Sequence, residues 1–251
     1  MDFQMSKIRI LSGNALKIIA AISMFVDHFG IIFCPDVDIL RILGRIAFPI
    51  FAFMIAEGCR YTRHRLRYFL MMSGMGIAYL IAFYVYSGVV YMSIFITFSL
   101  SIIMIYALQR LKEACFGEDI RPVRIIGYAV AFVAAVVLSS AMNELFDIDY
   151  GFFGSLAPVL VALCHKPENC RSAFFDKIDR LEISLLGLLV AIVCLYVVYG
   201  GVRIFALLSI PLLLLYSGKR GKANMKYFFY VFYPVHILAL EGIYTLIQII
   251  K

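Results

Sequence analysis

The chain is 251 residues long, 63% hydrophobic and 16% charged, with a mean hydropathy of +0.94. No soluble domain of that length carries so much apolar side chain, so the composition demands an integral membrane protein. The net charge of +7 raises nucleic acid as a partner, but where the charges sit removes that reading.

No alternating ten-residue pattern with polar lumen positions is present, so the expected class is all-α, a polytopic helical bundle rather than a barrel. Apolar segments fall at 14–33, 39–59, 68–87, 91–109, 123–141, 150–165, 183–199, 201–216 and 227–248. The sequence therefore predicts about nine transmembrane helices, of which the sixth to eighth are short. The first segment is too long and too charged for the core of a secretory signal, and it is expected to stay in the mature protein. The connections are short and no internal repeat is evident, so residues 1–251 read as one membrane domain. The six cysteines are scattered and form neither a disulfide framework nor a zinc pattern, so no metal is expected.

Lysine and arginine occupy alternate connections. Lys7 and Arg9 lie in the N-terminal tail, and four basic residues fall in each of 60–67, 110–124, 166–180 and 219–226. The intervening connections hold none, and carry Asp36, Asp38, Glu144, Asp147 and Asp149 instead. This alternation predicts a cytoplasmic N-terminus and an extracytoplasmic C-terminus. The positive charge is thus a topology signal with anionic lipid as its neighbour, and no nucleic-acid partner is expected.

A few ionisable residues interrupt the apolar segments. Lys17 and His28 are eleven positions apart, which returns to nearly the same helix face after about 16 Å of rise. Asp27 precedes His28. Arg41 and Arg45 are spaced i,i+4 on the second segment, at a depth comparable to Asp27, so an Asp27–Arg45 or Asp27–Arg41 pair is expected. Pro49 is positioned to kink that helix. On the last segment Tyr233 and His236 share a face, whereas Glu241 is turned about 140° from His236. Glu241 is left with Arg203 or the outer rim. Glu57, beside Arg60 and Arg63, reads equally as a surface pair or a site. His28 and His236 each have a bland reading as buried histidines bonded between helices.

A histidine beside an aspartate inside a membrane, with cations toward the cytoplasm, suits two chemistries. One is acyl transfer: the imidazole takes a proton from a nucleophile, and the cations hold the phosphates of an anionic donor. The other is a proton-coupled small-molecule transporter using the same groups as a relay. Nine segments without an inverted repeat count against the transporter.

The Lys17-x10-His28 spacing resembles the Arg/Lys-x10-His motif of the membrane acyltransferases of acyltransferase family three. Three further stretches resemble the TraX family, the class that includes the conjugative-pilin acetylase: LKIIAAISMFVDHFG (16–30), RILGRIAFPIFAFMIAEGCRYTRHRLRYFL (41–70) and YFFYVFYPVHILAL (227–240). The resemblance implies an acetyltransferase of the bacterial cytoplasmic membrane. It would move acetyl from cytoplasmic acetyl-CoA to an amine or hydroxyl of an exported peptide, pilin or glycan. Carried onto this chain, His28 is the general base, Asp27 and Arg45 its supporting charges, and His236 a second catalytic or acceptor-orienting group. Lys17 is the CoA-phosphate contact, with Arg41, Arg45, Arg60 and Arg63 as further cofactor-binding residues.

Overall fold

The computed structural model describes residues 9–168, 170, 172–222 and 225–250. Lys7 and Arg171, both counted in the charge pattern, lie outside them. Every extended regular element among the described residues is helical, in the order α1 (Gly13–Phe33), α2 (Asp38–Gly44), α3 (Ala47–Tyr61), α4 (Arg65–Ser87), α5 (Ile94–Phe116), α6 (Pro122–Leu145), α7 (Gly151–Ala162), α8 (Ala173–Ile178) and α9 (Leu181–Tyr199). A 3₁₀ helix (Gly201–Leu208), α10 (Ser209–Leu214) and α11 (Lys226–Ile250) complete the chain. Seven of these helical stretches are long and apolar enough to cross a bilayer: α1, α2 with α3, α4, α5, α6, α9 and α11. The protein is a multi-pass membrane protein. The remaining two expected segments form shorter apolar helices, Gly151–Ala162 and Gly201–Leu214.

The chain divides into two compact units, one of residues 1–54 with 196–251, the other of residues 55–195. In the first unit α1 is the central element. Its Ser12 cap accepts a hydrogen bond from the Ala15 amide (3.2 Å), satisfying one of the free donors at the helix start. Leu16, Ala20, Ser23, Asp27 and Gly30 form its buried stripe, whereas Ile18, Ile22, Phe25 and Phe29 are exposed on the opposite side. Both stripes step by three and four residues, the helical period. The buried side contains the polar residues and the exposed side is apolar, as lipid contact requires.

α1 packs on α2 and α11. Its approach to α2 is close at two glycines. A Cβ on Gly30 would lie 2.8 Å from the Leu40 Cβ, and one on Gly44 would overlap the Asp27 side chain. The span from Asp38 to Tyr61 breaks at Arg45 and Ile46, where the amides reach back to Ile42 and Leu43 in tight-turn fashion (3.2 and 3.4 Å). The break is four residues ahead of Pro49, whose ring supplies no N–H for the Arg45 carbonyl and collides with it in a regular helix. The expected Pro49 distortion is thus a full interruption. Ser23 covers the loosened backbone, its hydroxyl donating to the carbonyls of Leu43 (2.6 Å) and Gly44 (3.2 Å).

In the second unit α5 is the most buried long helix and packs against α4, α6 and α7. α7 runs parallel to it. Met92 bridges to Ile148, the Thr97 hydroxyl donates to the Asp149 carbonyl (2.6 Å), and Ser101 donates to the Ser155 carbonyl (2.7 Å). At the far end, the Lys112 ammonium donates to the carbonyls of Ala162 and Leu163 (both 3.1 Å) and of His165. The stretch Asp149–His165 therefore accompanies α5 from Thr97 to Lys112, although only twelve of its residues are α-helical. The 3₁₀–α10 stretch of the first unit has its own way of gaining length. Eight residues rising about 2.0 Å and six rising about 1.5 Å extend it to roughly 25 Å.

Candidate functional site

The first unit gathers His28, Asp27, Arg41, Arg45, His236 and Lys17 around α1. Asp27 is buried, and its carboxylate accepts from the Arg45 guanidinium and pairs with Arg41 Nε at 3.2 Å. Both expected arginine partners therefore converge on one acid. Arg45 Nε also donates to the Arg41 carbonyl (3.3 Å), which holds the guanidinium over Asp27. Burial of the pair demands this fit, since an uncompensated charge in such a place costs several kcal/mol, about 3–5.

Adjacent residues on a helix point about 100° apart, and His28 consequently faces α11 rather than the arginines. Its Nδ1 lies 2.9 Å from the Met24 carbonyl oxygen and 3.2 Å from His236 Nε2. His236 Nδ1 lies 2.8 Å from the Phe232 carbonyl oxygen. These contacts define the protons. A carbonyl oxygen only accepts, so Nδ1 of each ring carries hydrogen. Neutral His236 then offers a lone pair at Nε2 to the His28 Nδ1–H, which it shares with Met24. The lone pair of neutral His28 is left on Nε2, away from both partners. Rings from α11 fix the arrangement: Phe232 stacks on His236 with centroids 4.8 Å apart, and Tyr233 stands edge-on to His28 at 6.5 Å.

Lys17, on the same face of α1, places its ammonium 5.8 Å from the centre of the Phe229 ring. Phe229, Tyr233 and His236 form one side of α11, so the expected common face of Lys17 and His28 is the face that meets α11. Arg203 donates to the carbonyls of Tyr199 (3.0 Å) and Gly200 (3.5 Å) and covers the Tyr199 ring, so it serves its own turn and not Glu241.

Arg60 and Arg63 belong to the second unit. Arg60 makes a bidentate pair with Asp179 (2.7 Å for each bond), and Arg63 is exposed. Beside them is a buried cluster of which sequence reading singled out only Glu57. Glu57 is buried, with Oε1 3.6 Å from Nε2 of the equally buried His165. Lys112, counted among the loop cations, lies inside α5 and is buried, capping the end of α7 and covering the Phe175 ring at 5.0 Å. One signal was available: Lys112 continues the i, i+3, i+7 stripe of Ile105 and Leu108, so a cation occupies a core position. Outside the spans, Asp176 bonds the Lys166 ammonium at 2.6 Å and raises its pKa. Arg121, with Arg124, holds the Asp119 carboxyl below the usual range. Both are exposed surface pairs.

Comparison with known proteins bears on residues 12–244, which match the family model described as TraX protein. The chain belongs to the TraX family. The match runs through both units, and Lys17, His28, Glu57, His165 and His236 all fall inside it. A probable fimbrial assembly protein, FimC of serogroup H1, from Dichelobacter nodosus is 24% identical over 91% of this chain and 94% of its own length. An uncharacterized protein, RP591, of Rickettsia prowazekii (strain Madrid E) is 48% identical over 40 residues, 16% of each chain. No solved structure matches this TraX-family chain.

Proposed function

We propose that this TraX-family protein transfers acetyl from acetyl-CoA to an amine or hydroxyl of an exported acceptor, with His28 Nε2 as the general base. The observation that carries the reading is the locked histidine pair, which holds Nδ1 of His28 and turns its Nε2 away from His236 inside a membrane protein. The acceptor N–H or O–H gives its proton to His28 Nε2 as its heteroatom bonds to the thioester carbonyl carbon. The carbon–sulfur bond then breaks, and the CoA thiolate takes that proton from His28 as it leaves. His236 orients the base, and the Asp27–Arg41–Arg45 cluster holds α1 and α2 in register beside it.

The roughly 16 Å of rise from Lys17 to His28 is of the same order as an extended pantetheine arm. Lys17 therefore takes the phosphate end of the donor. Nine crossings with the N-terminus cytoplasmic, as the charge alternation indicates, put Lys17 at the cytoplasmic face of a bacterial cytoplasmic membrane, where acetyl-CoA is found. The fimbrial relative, together with the pilin-processing role associated with TraX membership, favours a pilin-like peptide as acceptor.

Purified protein mixed with acetyl-CoA labelled in the acetyl group and with envelope peptides tests this. Label is expected to move to a peptide amine with the wild type and not with His28→Ala, which keeps its CoA affinity. Transfer surviving in His28→Ala removes the base. Solute uptake into proteoliposomes with no acetyl-CoA consumption establishes a transporter instead.

A further inference from the structure

We propose that Ser217–Lys222, read SGKRGK, is a phosphate-binding loop completed by Lys17. Five hydrogen bonds dock this segment on the residues that open α1. The Leu11 amide donates to the Leu215 carbonyl (2.9 Å), and the Ser217 amide and hydroxyl donate to the Leu11 carbonyl (2.9 and 3.0 Å). The amides of Gly13 and Asn14 donate to the carbonyls of Lys219 (2.8 Å) and Arg220 (2.9 Å). The first helical donors are therefore spent on the loop, and it is the loop that meets the ligand.

Two glycines give the loop its path. Gly218 has φ +71° and Gly221 φ +96°, both in the left-handed region. At Gly221 a Cβ would also crowd the Ser12 hydroxyl (3.0 Å) and the Asn14 side-chain Nδ2 (3.1 Å). The two glycines bracket Lys219 and Arg220 and fix the path on which the loop presents them. Lys219, Arg220 and Lys222 are exposed, and Lys17 stands one turn beyond Asn14. The loop and the opening of α1 thus unite four cations on one docked segment, with no Asp or Glu in residues 9–17 or 215–222. Charged donors on a fixed backbone suit phosphate oxygens, with Arg220 able to grip two at once.

The ligand class is a phosphate ester, either the nucleotide end of the CoA donor or the headgroup of an anionic lipid. The donor assignment rests on the acetyl-transfer reading; the phosphate site does not. The test uses full-length protein in nanodiscs of zwitterionic lipid, with 3′,5′-ADP as the probe, since it contains the 3′-phosphate and the ribose-linked 5′-phosphate of CoA but no thioester. Lys219→Ala with Arg220→Ala is expected to weaken 3′,5′-ADP binding at least about tenfold, and the charge-keeping Lys219→Arg with Arg220→Lys to stay within about threefold of wild type. In a second arm, native mass spectrometry counts phosphatidylglycerol retained by each variant. Loss confined to phosphatidylglycerol, with no 3′,5′-ADP bound by the wild type, keeps the phosphate site and overturns its donor assignment. Unchanged 3′,5′-ADP affinity and unchanged lipid retention overturn the proposal. Intact 3′,5′-ADP binding without any acetyl transfer leaves the loop standing and removes the acetyltransferase.

Discussion

The chemistry of His28 depends on an atom 208 positions away in the chain: the Nε2 of His236, 3.2 Å from its Nδ1. His236 does not touch the reacting groups in this reading; it fixes a tautomer. Replacing it with Phe keeps a ring under Phe232 but gives His28 no acceptor beyond Met24. The turnover number is then expected to fall about 10- to 100-fold, by analogy with metal-bound histidines that lose the partner of their second ring nitrogen. KM for acetyl-CoA should stay the same. His236→Gln, whose amide oxygen accepts a hydrogen bond, should recover part of that loss. Steady-state kinetics on the two variants checks the assignment, and equal rates in both would reduce His236 to packing. Asp27, next to His28 in sequence, pairs with Arg45 and Arg41, so the supporting charge that the resemblance assigns to it acts, in the proposed mechanism, through the α1–α2 contact.

At the scale of elements, the α1–α2 contact shows how backbone shape sets a charge cluster. The helix interruption ahead of Pro49 releases carbonyls that Ser23 then covers, and it turns Arg45 toward Asp27. Gly44 lets the two backbones meet, because a Cβ there would overlap Asp27. Gly44→Ala should destabilise the protein by about 1–3 kcal/mol, the usual cost of overpacking. It should also disturb the Asp27–Arg45 pair, and so reduce turnover along with stability. Thermal unfolding in detergent measures the first effect, and a melting temperature equal to wild type would show that the helices separate freely. In the other unit, Lys112 answers a comparable need. α7 ends inside the protein, where few helical amides remain to meet its closing carbonyls, and the ammonium of α5 adds donors to Ala162, Leu163 and His165.

Across the whole molecule, the native cysteines report orientation. Cys34, partly exposed, ends α1, and Cys115 and Cys164, also partly exposed, lie at the C-terminal ends of α5 and α7. With the N-terminus cytoplasmic, a membrane-impermeant maleimide should label Cys34 in intact cells and should reach Cys115 and Cys164 only after permeabilisation. Variants retaining one of these cysteines at a time make the readout specific, and the reverse pattern would invert the topology and detach Lys17 from the cytoplasmic donor.

The sequence alone determined the membrane class, the helical architecture and the common face of Lys17 and His28. These follow from hydropathy, length and the 3.6-residue period, which are properties of consecutive residues. Of the nine segments it counted, seven are long enough to span, among them the seventh, expected to be short. It also narrowed Asp27 to two arginines, because helix rise converts position into depth. Tertiary structure decided what depth cannot: which way each polar group turns and what meets it there. His28 pairs with His236 and not with Asp27, Glu57 lies beside His165, Lys112 leaves the loop count for the core, and the SGKRGK loop docks on α1. Each is a contact between distant segments, where burial obliges a polar atom to find a partner but linear spacing does not say which one.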